Sequence, residues 1–124
     1  MKQIELLRKC YDFGGTMERI YNKLVRDKIP EIIEQKGEKP IIKILDSNKY
    51  KKELENKLFE EYKEVINSGG SERCEELADM LEVIKALADI ENKSLDDIIN
   101  IAHQKSIKRG GFKEKIFLEK VIEK

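Results

Sequence analysis

The 124 residues carry 25 basic and 25 acidic side chains, a formal charge of zero, and 40% of the chain is charged. That length suits one domain with a modest core, which gains by burying more surface in an oligomer, and the balanced charge supplies no basic field for a nucleic-acid partner. No apolar run approaches a membrane span and the N-terminus lacks a signal-peptide pattern, so a cytoplasmic location is expected, with Cys10 and Cys74 as reduced thiols rather than a disulfide framework or a zinc site.

In residues 1–16, Ile4, Leu7 and Tyr11 recur at helical spacing, and Gly14-Gly15 interrupts any continuation. This stretch is read as an N-terminal appendage, and 17–124 as the domain proper. Lys23, Arg26 and Lys28 cluster ahead of a short helix that starts from Asp27 as N-cap, runs through Ile29, Ile32 and Ile33, and stops near Gly37. The three cations suit a solvated patch or a polyphosphate, Arg26 offering a bidentate fork. Ile41–Leu45 is β-branched and too short for a helix of its own, and predicts a strand pairing with Lys115–Leu118.

Ser47 can cap a long helix in which Leu54, Leu58, Tyr62 and Val65 form an inward stripe. Glu61 falls on that stripe, within roughly 20° of Leu54 on the helical wheel, and Glu64 flanks the same face one turn on. Asn67-Ser68-Gly69-Gly70-Ser71 is turn chemistry, with Ser71 as N-cap of a second helix folding back antiparallel. There Leu77, Met80, Leu81, Ile84, Leu87 and Ala88 form an apolar stripe, broadened by Val83 and Ile90, and Glu76 and Asp79 line the broadened side. Measured in residues from the turn, Glu61, Glu64, Glu76 and Asp79 can converge. Carboxylates facing a core cost several kcal/mol each unless protons or cations compensate them, and an all-oxygen ligand set suits Mg²⁺ or Mn²⁺. The plain alternative is that these acids decorate exposed helices, and spacing leaves both open.

Ser94 with Asp97 makes a capping-box-like start to a last helix. Ile98 and Ala102 mark its inward face, and Lys105 and Arg109 follow on that face. Either their stems snorkel outward at a helix end that favours cations, or they face an anionic ligand. His103 is the lone histidine and is assigned no catalytic role.

The run Lys57-Leu58-Phe59-Glu60-Glu61-Tyr62-Lys63-Glu64 and the run Glu75-Glu76-Leu77-Ala78-Asp79 resemble the paired E-E-x-x-E and E-x-x-D motifs of the MazG-like, all-α nucleoside triphosphate pyrophosphohydrolase superfamily. Tyr21-Asn22-Lys23-Leu24-Val25-Arg26-Asp27-Lys28-Ile29-Pro30 is similar to the N-terminal signature of its small phosphoribosyl-ATP pyrophosphohydrolase-like members, and Lys108-Arg109-Gly110-Gly111-Phe112 to their C-terminal one. Where the family pattern has A-N-x-K, this chain has His103 in the Asn position, ahead of Lys105.

The resemblance implies an all-α fold in which an antiparallel helix hairpin is completed into a four-helix-bundle-like core by a homodimer or homotetramer. It also implies hydrolysis of a nucleotide substrate between its α and β phosphates. Glu61, Glu64, Glu76 and Asp79 would hold Mg²⁺, with Mn²⁺ as an alternative, and Glu60 would orient or deprotonate a water. Lys105 and Arg109 would stabilise phosphate charge, with Lys23, Arg26 and Lys28 as secondary candidates. The alternatives are a phosphoribosyl-ATP pyrophosphohydrolase and a non-catalytic helical interaction module.

Overall fold

A computed structural model of the chain describes residues 10–13 and 16–124, with side chains described from Met17 onward. The fold is mostly helical. Strands β1 (Cys10–Phe13) and β2 (Thr16–Arg19) pair antiparallel, with Cys10 opposite Arg19 and Phe13 opposite Thr16. Helices α1 (Ile29–Gln35), α2 (Ser47–Ile66), α3 (Gly70–Ile90) and α4 (Leu95–Arg109) follow. The chain forms two compact units, Met1–Val83 and Ile84–Lys124.

Several expected boundaries move, each for a local reason. Tyr11 lies in β1 rather than in a helix, while Ile4 and Leu7 fall outside the described residues. The N-cap of α1 is Lys28, not Asp27, and Pro30 in the first turn suits a position where no intrahelical N–H bond is needed. At the other end Gly37 adopts φ +81, and its N–H donates to the Glu34 carbonyl at 2.9 Å, closing the helix as expected. Asp46, not Ser47, caps α2: its backbone is extended and its carboxylate accepts from the Lys49 N–H at 2.8 Å. Helix α3 already begins at Gly70, so Ser71 is inside the helix rather than its cap.

The two segments expected to pair as strands, Ile41–Leu45 and Lys115–Leu118, are neither helix nor strand. Ile41, Ile42 and Ile44 are exposed, as are Ile116, Phe117 and Leu118. β-branched composition favours a pleated, half-buried surface, and without a partner edge it does not make a strand.

Among the described residues of the first unit, those buried are Ile29, Leu54 and Val83 beside Lys57, Glu61 and Glu76. Half of this buried set is charged, and the one fully buried large side chain among the described residues is Glu61. The glycine turn folds α3 back on α2, because Glu61 of α2 meets Glu76 and Asp79 of α3. Projected at about 100° per residue, with Glu61 and Glu76 facing each other, the hairpin has two unlike flanks. Phe59, Tyr62 and Ile66 on α2 share one flank with Leu77 and Leu81 on α3, and all five are exposed, Leu77 at 49% and Leu81 at 45%. Tyr62, Leu77 and Leu81 were expected inward and are not. The inward line is instead Leu54, Lys57 and Glu61 on α2 and Glu76 and Val83 on α3. The opposite flank holds Glu60 and Asp79, where the 20–28 segment engages through Lys23 and Arg26.

In the second unit, α3 ends in a turn where Asn92 takes the left-handed φ of 59 and the Lys93 N–H donates to the Ala88 carbonyl at 3.0 Å. Asn tolerates that conformation better than most residues. Helix α4 starts with the expected capping box. The Asp97 N–H donates to Ser94 Oγ at 3.1 Å, and the Ser94 N–H donates to Asp97 Oδ2 at 2.9 Å. That backbone N–H, with the Ser94 hydroxyl, holds the Asp97 carboxyl below its ordinary value. Helix α4 buries none of its residues, and residues 99–124 are exposed throughout.

The caps are testable by substitution. Asp46→Ala should cost about 1 kcal/mol by urea denaturation, whereas Ser47→Ala should change stability by no more than about 0.5 kcal/mol. Equal losses in the two variants would contradict the observed cap.

Candidate metal centre

Glu61, Glu76 and Asp79 each place a carboxylate oxygen within 4.8 Å of the others. Glu61 is 0% exposed, Glu76 is 4% exposed, and Asp79 is half-buried. The spacing that brings them together is visible in the helices. Glu76 and Asp79, three residues apart, are neighbours on α3, and Glu61 reaches them from α2 across the hairpin.

Cations ring this nest. Lys57, one turn before Glu61 on α2, is 6% exposed, and its Nζ lies 3.8 Å from Glu61 Oε1. The same ammonium donates to Glu60 Oε2 at 3.3 Å, and Lys23 Nζ donates to Glu60 Oε1 at 2.9 Å, so two lysines hold Glu60 by both oxygens. Arg26 Nη2 donates to Asp79 Oδ1 at 2.7 Å. Asn22, at φ 45, turns the chain just before these basic residues. The Arg19–Glu38 ion pair ties β2 to the segment after α1.

Burial dominates the electrostatics. It raises the Glu61 carboxyl from 4.5 to about 7; Lys57 opposes the rise, while Asp79, Glu60 and Glu76 add to it. Burial likewise pushes the Lys57 ammonium below its ordinary value, partly offset by Glu60. The interior therefore holds an acid and a base that each resist charging, and each is helped by the other.

Of the four acids expected to converge, three do. Glu64 is half-buried, about 60° round α2 from Glu61, and does not belong to this group. Glu60, the residue expected to orient or deprotonate a water, accepts from Lys23 and Lys57. Lys23 and Arg26 reach the acidic helices, whereas Lys28 is exposed at the start of α1. In the second unit Lys105 and Arg109 are exposed rather than inward, because α4 buries no face. They line an open depression of about 300 Å³ with Asn100, Ile101, Gln104 and Lys108. His103 and Cys74 are exposed.

Lys57 belongs to the site although the sequence does not single it out. The signal was present: it lies three and four residues before Glu60 and Glu61, the spacing at which helix side chains meet, and it sits on the Leu54–Leu58–Glu61 face. A lysine at such spacing is ordinarily a surface residue, and its burial is a tertiary fact.

Comparison with family models, with curated proteins and with solved structures gives no match. The chemistry of the nest must stand on its residues. Three convergent carboxylates without nitrogen or sulfur donors in the group fit a hard divalent cation such as Mg²⁺ or Mn²⁺.

Stability should record this burial. Between pH 4.5 and about 7 the folded chain keeps the Glu61 proton while the unfolded chain has lost it. Metal-free protein should therefore lose stability as pH rises through that window, by at most about 3 kcal/mol. Glu61→Gln should flatten that dependence, melt higher than wild type at pH 8 in EDTA, and lose most of the stabilisation Mg²⁺ gives the wild type. Identical melts for the two proteins in EDTA and in Mg²⁺ would mean Glu61 is an ordinary solvated acid.

Proposed function

We propose that this chain is a divalent-metal-dependent hydrolase that cleaves a nucleoside triphosphate, or a related nucleotide, between its α and β phosphates to release pyrophosphate. The observation that carries the proposal is the convergence of Glu61, Glu76 and Asp79 within 4.8 Å in an otherwise sparse interior. The likeness of the two acidic runs to MazG-like motifs supplies the substrate class.

In this mechanism Glu61, Glu76 and Asp79 would hold the cation. Glu64 stands one turn away on α2. A Mg²⁺ held there would supply neutralisation of phosphate charge and a more acidic water for attack on phosphorus. Glu60 acts through the lysines it grips, fixing Lys23 and Lys57 beside the nest. Lys57 lends Glu61 positive charge, which keeps the carboxylate available as a ligand near neutral pH. Lys105 and Arg109, exposed and cationic, are accessible to an anionic ligand and are the residues the resemblance assigns to the phosphate chain.

A panel of nucleoside triphosphates tests the chemistry. Turnover should require Mg²⁺ or Mn²⁺, cease in EDTA, and give pyrophosphate as the first product. Orthophosphate as the first product would sink the proposed bond cleavage, and turnover in EDTA would sink the metal.

Self-association belongs to the same proposal. Phe59, Tyr62, Ile66, Leu77 and Leu81 are exposed large apolar side chains on one flank of a two-helix layer, with Phe59 stacked on Tyr62 and capped by Lys63, and such a layer gains most by packing on a second copy to make a four-helix core. Light scattering should find a dimer or tetramer at micromolar concentration, and Leu81→Glu should shift it to monomer. A wild-type monomer under those conditions would refute this assembly.

A further inference from the structure

Asp79 takes part in two arrangements. One of its oxygens belongs to the carboxylate nest, and its Oδ1 accepts from Arg26 Nη2 at 2.7 Å. Resting on the metal-dependent hydrolase proposed above, we infer that Arg26 is an exchangeable counter-cation: it holds Asp79 while the nest lacks a metal, and passes to the substrate's phosphates when a divalent cation takes Asp79.

The two cations of the 20–28 segment differ in how they are held. The Lys23 side chain is 7% exposed and gripped by Glu60, whereas the Arg26 and Asp79 side chains are 45% and 34% exposed. Lys23 is the anchor of the segment, and Arg26 is its open end. An ion pair in contact with water is among the weakest in a protein, so it gives way at little cost. A dication among three carboxylates attracts Asp79 more strongly than one guanidinium does and repels that guanidinium at the same time. The released Arg26 stays tethered beside the nest, because Lys23 is only three residues back. Its planar fork is built for bidentate binding of phosphate, which a metal-bound polyphosphate presents at that moment. Asp79 thus makes metal entry a precondition for presenting the arginine.

Calorimetry on the full chain tests the exchange with two probes: Mn²⁺ alone, and the Mg²⁺ complex of a nucleoside α,β-methylene triphosphate, which cannot be cleaved at the proposed bond. Arg26→Ala and Arg26→Gln should bind Mn²⁺ about three- to tenfold tighter than wild type, and the methylene analogue at least about tenfold weaker. Lys28→Ala removes the same charge two residues on and should shift Mn²⁺ binding by less than about twofold. Opposite signs for the two probes are the signature, since a merely structural role weakens both. Unchanged or weaker Mn²⁺ binding in the Arg26 variants, or an equal gain in Lys28→Ala, overturns the exchange while leaving the metal centre intact. A wild-type chain that binds no Mn²⁺ overturns both.

Discussion

A carboxyl group taken wholly out of water, as Glu61 is, costs several kcal/mol unless a proton, a cation or a set of donors meets it. Much of the first unit reads as a response to that cost. Lys57 approaches from the preceding turn of α2 and is itself buried, which raises a second cost that Glu60 offsets. Glu60 in turn holds Lys23, and so the loop ahead of α1 is tied to α2. The charges form a chain from the 20–28 segment into the interior, each member stabilised by the next.

The hairpin's two flanks divide what this arrangement needs. One flank carries Glu60 and Asp79 and is met by Lys23 and Arg26. The other is apolar and exposed. With Ile29, Leu54 and Val83 as the buried apolar residues among those described in the unit, this part of the interior supplies little hydrophobic stabilisation to set against three buried charged groups. A second copy on the apolar flank would supply it without disturbing the polar one. In the proposed function the same separation leaves one side free for substrate while the other is closed by assembly.

The acids of the nest were legible because a helix converts sequence spacing into direction. Glu61 shares an angle with Leu54, so an inward Leu54 implies an inward Glu61, and the structure buries both. The Ser94–Asp97 box and the stop at Gly37 were legible for a similar reason, since caps are settled within four or five residues. Where two neighbouring residues could serve as a cap, spacing was insufficient. Asp46 rather than Ser47 starts α2 because only the former takes the extended backbone that aims its carboxylate at the Lys49 N–H.

By itself, then, the sequence determined the helices, the glycine turn that reverses them, and the angular placement of Glu61, Glu76 and Asp79, all consequences of a fixed residue rotation and local hydrogen bonding. Only the tertiary structure decided which parts of the apolar arcs are covered. Tyr62, Leu77 and Leu81 satisfy helical periodicity as well as Leu54 and Val83 do, yet stay exposed, because periodicity gives a direction and not the neighbour that lies there. It decided too that Lys57 goes inside, that Glu64 stays out of the nest, that Lys105 and Arg109 face outward on a helix burying no face, and that Ile41–Leu45 and Lys115–Leu118 form no strands. Each of these depends on contacts between residues distant in the chain, and such contacts leave no mark on local spacing.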